Sequence, residues 1–246
     1  MMRHMDEAPI TANQTLAAVS AVYTWATKEE ILPANPCRGV ARNPTTSRDR
    51  ILSDAEVPLF WQAFGQAGLA GAALQVLLLT GQRPGEVAHM RREQISDGWW
   101  TMPGAPDGNG WPGTKNKQTH RVWLPKAVRS IIAELNYDDG AGFVFGPSMD
   151  LGSTMRSICR QVAVPRAVPH DLRRTHGSTI TKLGFGRDAM NRIQNHKEGG
   201  ITDIYDRHSY SSENQHVMEA VASHLLALAQ GLTISNVVQA SFTQAG

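Results

Sequence analysis

The stretch WWTMPGAPDGNGWPGTKNKQTHRVWLP, residues 99–125, breaks the helical pattern that surrounds it. Its two ends are apolar and aromatic, and HRVWLP (120–125) alternates apolar with polar residues, as a half-buried strand does. The part between them, residues 103–113, is rich in Gly, Pro and Asn, which favours a loop. The stretch therefore predicts two strands of a small antiparallel sheet, and GFVFG (142–146) predicts a third, edge-like strand.

The sequence on both sides of this hairpin is typical of α-helices. Ser53 and Glu56 form a capping-box pattern, and an apolar run predicts a buried helix over residues 69–79. Pro84 suits the first turn of the next helix. The expected fold class is therefore mainly α with a small antiparallel β-sheet (α+β). Further helices are predicted at about 126–135, 150–163, 170–184, 187–196, 201–209 and 213–230.

The first fifty residues have a different character. Residues 11–30 predict an amphipathic helix, and residues 31–50, rich in Pro, Asn, Thr and Arg, indicate a linker. Arginines outnumber the single acid Asp49 in that linker, which suits contact with a polyanion; a solvated linker is the alternative. The apolar residues at helical spacing are Leu16, Val19, Val22 and Trp25.

The composition narrows the classes of function but does not identify one. The net charge of +2 and the pI near 8.6 are weakly basic, so nucleic-acid binding would need a local patch. Cys37 and Cys159 are far apart and lack metal-ligand spacing, which is typical of a reduced, cytoplasmic protein. The longest apolar run, residues 68–81, is too short and too Gly-rich to span a bilayer, and no membrane role is expected.

One pair of polar residues stands at the start of a predicted helix. Arg83 lies between the buried helix and Pro84, where positive charge opposes the helix dipole unless an anion is held there. Glu86, three residues later, can pair with Arg83 and fix its guanidinium group. An ordinary structural ion pair is the alternative.

A second pair lies in PHDLRRTHGS (169–178). His170 and Arg173 are three residues apart on one predicted helix and therefore face the same way. Arg174 would turn aside, toward solvent or a backbone phosphate. The alternative is that His170 only caps or packs the helix.

Two further segments carry polar groups of interest. His196 ends a predicted helix, and Tyr205 follows nine residues later across a Lys-Glu-Gly-Gly turn, which would bring the two side chains near each other. Taken alone, Tyr205 and Tyr210 are typical of half-buried aromatic residues. Lys115 and Lys117 lie at the tip of the hairpin, as a mobile cation or a solvated turn. No HxxxH or CxxC pattern accompanies His196, so no metal site is predicted.

The order of these groups resembles the tyrosine recombinases, the phage-integrase family, over nearly the whole chain. TGQRPGEV (80–87) is similar to that family's first arginine box, HDLRRTHGS (170–178) to its His-x-x-Arg box, and NHKEGGITDIYDRH (195–208) to its His-to-Tyr box. The segments NPCRGV (35–40) and LSDAE (52–56) are similar to the junction between core-binding and catalytic domains in prophage and genomic-island integrases.

The resemblance implies a role for each matching residue. Glu86 falls where the family keeps an acidic residue behind the first arginine, and Lys117 competes with Lys115 for the place of the hairpin lysine. Tyr210 has no counterpart and is expected to be structural. The family usually carries Leu-Gly before the histidine of the third box, whereas this chain has Gln194-Asn195, a departure expected to alter packing alone. The implied catalytic set is Tyr205 as nucleophile, Arg83 and Arg173 as the phosphate clamp, Lys115 as the hairpin lysine, and His170 and His196.

The resemblance also implies a domain division and a function. Residues 1–45 would be the end of a truncated core-binding domain with its linker, residues 46–230 the catalytic integrase domain, and residues 231–246 a tail that docks on a neighbouring protomer. The implied activity is site-specific recombination through a 3′-phosphotyrosyl intermediate, integrating or excising a prophage or genomic island. A type IB topoisomerase and a silent DNA-binding prophage remnant are the alternatives.

The implied partner is double-stranded DNA at attachment sites, bound by a homotetramer that dissociates to monomers in isolation. Accessory DNA-bending or directionality proteins would assist, in the bacterial cytoplasm at the nucleoid. Neither a cofactor nor a metal is expected. The residues expected to contact DNA are Arg48, Arg50, Lys117, Arg121 and Arg174.

Overall fold

The computed structural model describes residues 8–46, 48–138, 140–147, 149–196 and 210–232. The chain divides into two compact units, Met1–Arg48 and Asp49–Gly246. Within the described ranges the larger unit is mostly helical and carries one three-stranded antiparallel sheet, so the predicted fold class is confirmed. No helix in this part of the chain is both long and apolar enough to cross a membrane.

The smaller unit consists of helix α1 (Pro9–Lys28) and the segment that follows it. This segment is fastened to α1 by side-chain amides: Asn35 donates to the Ser20 carbonyl at 3.0 Å, and Asn13 exchanges two hydrogen bonds with the Asn43 backbone. The expected linker is therefore folded along α1. The apolar stripe of the helix is largely exposed, with Val22 at 63% and Trp25 at 57%.

The core of the larger unit surrounds helix α3 (Gly68–Thr80). Leu74, Leu77, Leu78 and Leu79 are fully buried, because α3 is apolar on every side and packs against helices all around it. This central position fixes the C-terminal end of α3. The first residues of the candidate site follow directly after that end. The other helices are α2 (Glu56–Gly65), α4 (Pro84–Ala88), α5 (Lys126–Glu134), α6 (Leu151–Gln161), α7 (Pro169–Lys182), α8 (Gly186–Ile193) and α9 (Ser211–Ala229).

The sheet contains the predicted hairpin but not the predicted third strand. Strands β2 (Trp99–Met102) and β3 (His120–Trp123) pair antiparallel. The third strand is β1 (Ile95–Ser96), which reaches β2 through Asp97-Gly98, both with positive φ. Asp-Gly is a strong signal for a two-residue hairpin turn, so the sequence contains local evidence for this strand pair.

The prediction of a strand at residues 142–146 is wrong. Phe143 forms only an isolated antiparallel bridge with Arg91, and Val144 donates its N–H to the Met90 carbonyl at 2.9 Å. Burial of the apolar side chains holds this segment against the chain before β1, away from the sheet. The helix predicted over residues 201–209 lies outside the described residues.

Candidate active site

The first part of the site forms where α3 ends and α4 begins. Gly81 adopts a φ of +64°, and Arg83 is the N-cap residue of α4 with Pro84 at its first position. The carboxylate of Glu86 accepts from the Arg83 backbone N–H at 3.1 Å and from Arg83 Nη1 at 3.0 Å. Glu86 is buried, so this ion pair fixes the direction of the Arg83 guanidinium group.

Helix α7 supplies the second guanidinium group. Arg173 is only 2% exposed, and its two terminal nitrogens donate to the carbonyls of Gly81 and Gln194. Arg173 Nη2 also lies 2.8 Å from Nε2 of His196. Burial, followed by the nearby charge of Arg83, lowers the pKa of Arg173 to about 9. The group therefore stays cationic at neutral pH, in a place that favours the approach of an anion.

The turn after α8 joins the two arginines. Asn195, with a φ of +50°, ends the helix in a left-handed conformation, and the His196 N–H donates to the Asn191 carbonyl at 2.9 Å. This is the hydrogen-bond pattern of a Schellman motif. It places the Gln194 carbonyl against Arg173 and the Asn195 carbonyl 3.1 Å from Arg83 Nη2. The sequence predicted a helix that extends to residue 196. In the structure α8 ends at Ile193, so His196 lies three residues beyond the helix.

The two histidines of this cluster are partly exposed and lie close enough to the arginines to feel their charge. Burial, then the charges of Arg173 and Arg174, lower the pKa of His170. Burial, then Arg173, Arg83 and finally His170, lower the pKa of His196. Both imidazoles are therefore neutral at pH 7, and each can accept a proton or a hydrogen bond.

Taken together, the structure gathers two forked cations and two neutral imidazoles around the end of α3, with the carboxylate of Glu86 behind them. Two guanidinium groups against one carboxylate leave an excess of positive charge. Planar guanidinium groups bind carboxylate and phosphate oxygens in a bidentate manner, so the cluster can hold a tetrahedral or planar oxyanion.

The remaining candidate catalytic residues are placed as follows. Lys115 and Lys117 are both exposed and lie in the connection between β2 and β3, in agreement with the predicted hairpin. The residue between them, Asn116, contacts Asn195 in the turn after α8. Tyr205 lies outside the described residues.

Tyr210 precedes α9 and has a φ of +43°. The guanidinium carbon of Arg192 lies 4.0 Å from the centre of its ring. This cation–π interaction holds the Tyr210 ring against α8. Tyr210 therefore has a packing interaction of its own.

The candidate DNA-contacting residues are not gathered into this cluster as one group. Arg50 binds the Glu56 carboxylate at 2.6 Å and the Pro165 carbonyl at 3.1 Å, so an intramolecular contact already engages its guanidinium group. Arg121 stacks on the ring of Trp99 at 4.4 Å. Arg174 pairs with buried Asp171 at 3.0 Å, which leaves it beside His170 on α7. Arg48 and Lys117 complete the set, and both are exposed.

Sequence reasoning missed two histidines, of which one is partly buried and the other fully buried. His120, at the start of β3, lies with Nε2 3.0 Å from the Ile193 carbonyl, and burial is the main cause that lowers its pKa to about 4. His176, on α7, is fully buried, and burial followed by Arg173 lowers its pKa to about 3. His176 lies three residues after Arg173, a spacing that could have signalled it. Nothing in the sequence near His120 indicates its contact with α8.

Comparisons with known proteins concern the family and the fold. The model of the phage integrase family matches residues 67–212, more than half of the chain. A lambda integrase dimer bound to a COC′ core site is 16% identical with a TM-score of 0.60, and the match covers 84% of this chain and 78% of that one. A lambda integrase tetramer bound to a Holliday junction gives 16% identity and a TM-score of 0.61, covering 83% and 63%.

A third solved structure has the same fold. The Tn1549 transposon integrase in complex with circular intermediate DNA is 16% identical with a TM-score of 0.55, and the match covers 87% of this chain and 81% of that one. At this level of identity the structures establish a shared fold. A comparison with curated proteins finds no match.

Proposed function

The chain belongs to the phage integrase family, and from this premise we propose that it is a site-specific DNA recombinase acting through a 3′-phosphotyrosyl intermediate at Tyr205. The observation that carries the proposal is that Arg83 and Arg173 both contact the same turn after α8. Their guanidinium groups donate to the adjacent carbonyls of Asn195 and Gln194, so both forks are held at one place in the fold.

The cleavage step needs such a clamp. A DNA phosphodiester carries one negative charge, and attack by an oxygen nucleophile builds more charge on its non-bridging oxygens. Guanidinium groups that are already fixed by Glu86 and by backbone carbonyls stabilise that charge without reorganising. This preorganisation is the largest contribution to rate that the described residues supply.

Proton transfers complete the step. A free phenol has a pKa of about 10, so a base must remove the Tyr205 proton as the oxygen attacks phosphorus. His170, neutral at pH 7, is the base we assign. The bond between phosphorus and the 5′-oxygen breaks, and Lys115 gives a proton to that leaving oxygen. In the reverse step, a 5′-hydroxyl attacks the phosphotyrosine and returns the proton to the lysine. The bond between phosphorus and the Tyr205 oxygen then breaks, and His170 gives its proton back to that oxygen.

His196 has a different role in this proposal. Its Nε2 lies 2.8 Å from Arg173, and the backbone N–H of the same residue is held by the Schellman motif. Because its imidazole is neutral, it can donate a hydrogen bond to a non-bridging oxygen from one ring nitrogen. The phosphotyrosyl ester conserves the energy of the phosphodiester, so rejoining requires no nucleotide cofactor.

We extend the proposal to assembly. Lambda integrase forms a tetramer on a Holliday junction, and we propose that this chain acts as a homotetramer on double-stranded DNA. Residues 1–45 would belong to a core-binding domain, residues 46–230 would form the catalytic domain, and the tail, residues 231–246, would dock on a neighbouring protomer. We place the activity in integration or excision of a prophage or genomic island, in the bacterial cytoplasm.

The test is covalent trapping. A duplex from the flanks of the chain's own genomic locus, nicked beside the candidate cleavage point, loses the short 5′-hydroxyl fragment on cleavage and cannot be rejoined. We expect a protein–DNA adduct that survives denaturing electrophoresis. Absence of any adduct would point to the silent DNA-binding remnant, whereas steady relaxation of a supercoiled plasmid without a cognate site would point to a type IB topoisomerase.

A further inference from the structure

A reciprocal pair of side-chain amides joins two segments that are far apart in sequence. Asn116 Nδ2 donates to Asn195 Oδ1 at 2.7 Å, and Asn195 Nδ2 donates to Asn116 Oδ1 at 3.2 Å. Asn116 stands between the two exposed lysines of the β2–β3 connection. Asn195 stands in the turn that precedes His196. The pair therefore connects the lysine loop directly to the arginine and histidine cluster.

The backbone on each side presents these amides to each other. Asn195 occupies the left-handed position that ends α8, a conformation that asparagine tolerates better than most residues. On the loop side, Asn116 Oδ1 also accepts from Thr114 Oγ1 at 3.1 Å and from the Gln118 N–H at 3.3 Å. The Asn116 side chain thus closes its own turn and reaches across to the other segment.

Asn195 is connected to three parts of the cluster at once. Its carbonyl accepts from Arg83 Nη2, its side chain holds Asn116, and the next residue, His196, contacts Arg173. We propose that Asn116 and Asn195 are positioning residues that hold the lysine loop in register with the phosphate clamp. This inference rests on the proposed function, because the lysine must give its proton to the oxygen that leaves the clamped phosphate.

The physical need for such a tether follows from the loop and from lysine itself. The connection between β2 and β3 is long and rich in Gly, and its tip is exposed. Lysine has a flexible four-carbon stem, so its ammonium group is placed no better than the backbone that carries it. The amide pair has no charge, so its strength does not change with pH as that of an ion pair would.

The variant that isolates the contact is Asn195→Gly. Glycine accepts a φ of +50° without strain, and it retains the carbonyl that Arg83 contacts. The substitution leaves the sequence around Lys115 and Lys117 unchanged, whereas Asn116→Ala would also remove the local bonds to Thr114 and Gln118. The matched control is Asn109→Ala, which deletes an exposed amide in the same connection.

Limited proteolysis tests the tether without DNA. Trypsin cleaves after lysine when a loop opens far enough to enter the protease. We expect Asn195→Gly to speed cleavage after Lys115 or Lys117 about 10-fold, an increase that corresponds to loss of roughly one net hydrogen bond. Asn109→Ala should cleave at the wild-type rate. Equal rates for wild type and Asn195→Gly, measured by mass spectrometry of the two fragments, would overturn the proposal.

A sulfur-substituted substrate tests the catalytic consequence. In the nicked duplex, the leaving 5′-oxygen is replaced by sulfur, which departs as a thiolate and needs no proton from lysine. We expect Asn195→Gly to slow cleavage of the oxygen substrate about 10-fold, part of the ~10²–10⁴-fold that proton transfer supplies, and to cleave the sulfur substrate at the wild-type rate. In a Lys115→Ala background, Asn195→Gly should cause no further loss.

The outcomes separate the two proposals. An equal defect on oxygen and sulfur substrates would show that Asn195 acts on the clamp and not through the lysine, which contradicts the inference. If the wild-type chain forms no adduct with either substrate, the proposed recombinase activity fails. The protease result still decides whether the loop is tethered.

Discussion

Replacing Arg173 with lysine removes a fork while keeping a positive charge, and the structure gives the size of the effect. The two terminal nitrogens of Arg173 donate to two separate buried carbonyls, those of Gly81 and Gln194. A single ammonium nitrogen at the end of a lysine can satisfy one of them. The other carbonyl is left without its donor, at a cost of about 1–3 kcal/mol in the free energy of unfolding.

This cost in the free energy of unfolding corresponds to a modest loss of thermal stability. A large loss of activity is expected for a separate reason, the loss of a donor to the transition state. For a chain of this size, about 2–4 °C of melting temperature is lost per kcal/mol, so we expect Arg173→Lys to melt about 2–12 °C lower and to remain folded at 25 °C. Losing one preorganised donor to the charge that develops in cleavage typically costs ~10²–10³-fold in rate. DNA affinity should barely change, because the charge is retained.

The assay compares three quantities for wild type, Arg173→Lys and Arg174→Lys. These are the melting temperature by circular dichroism, DNA affinity by fluorescence anisotropy, and the rate of covalent adduct formation on the nicked duplex. Arg174→Lys is the matched control, since the same chemical change is made one residue later, in a partly exposed ion pair with Asp171. Near-wild-type cleavage by Arg173→Lys, or a parallel loss of affinity and cleavage, would refute a transition-state role for Arg173.

Three further predictions follow from single features of the structure. First, the free energy of unfolding should fall as the pH is lowered from 6.5 to 4.5. The folded-state pKa values of His120 (about 4) and His176 (about 3) lie below the unfolded value of ~6.5. The unfolded chain therefore binds more protons than the folded chain in this pH range. The loss, up to about 5 kcal/mol, is measured by urea unfolding at each pH, and a flat profile would contradict it. Second, Gly81→Ala should destabilise the fold by more than about 2 kcal/mol, since its Cβ would lie 2.3 Å from His176 Nδ1 at a φ of +64°; a melting temperature within 2 °C of wild type, roughly 1 kcal/mol or less, would oppose this. Third, Tyr205→Phe should abolish covalent DNA attachment while Tyr210→Phe retains it, as judged on denaturing gels; an adduct formed by Tyr205→Phe would exclude that nucleophile.

The sequence was sufficient for the elements whose signals are local. Arg83 and Glu86 are three residues apart at a helix start, and the pattern alone predicted the pair that the structure shows at 3.0 Å. The hairpin of β2 and β3 was equally readable from its alternation. Both depend on neighbours along the chain, so no long-range information was needed.

Long-range contacts were not readable in the same way. His120 is an ordinary strand residue until α8 places the Ile193 carbonyl 3.0 Å away, 73 positions later. Arg50 was expected to contact DNA, but nothing in the linker indicates that Glu56 and Pro165 hold it. The strand expected at residues 142–146 was wrong for a related reason, because burial against Met90 and Arg91 decided its place.

The departure at Gln194-Asn195 shows how local sequence and distant structure combine. The sequence predicted only altered packing there. In the structure Gln194 is buried and donates to the Arg173 carbonyl at 2.8 Å, while Asn195 bonds to Asn116 across the cluster. The role of this pair of residues beside the candidate catalytic histidine therefore becomes readable only when their partners in the fold are known.

The measurement that tests the account most directly is the identity of the residue that carries DNA in the covalent complex. After nuclease and trypsin digestion, cleavage at Lys197 and Arg207 releases residues 198–207, EGGITDIYDR, whose single tyrosine is Tyr205, while Tyr210 falls in the peptide that begins at His208. Tandem mass spectrometry should find a nucleotide phosphate on Tyr205 in the first peptide. A nucleotide on Tyr210, or on any other residue, would contradict the assignment.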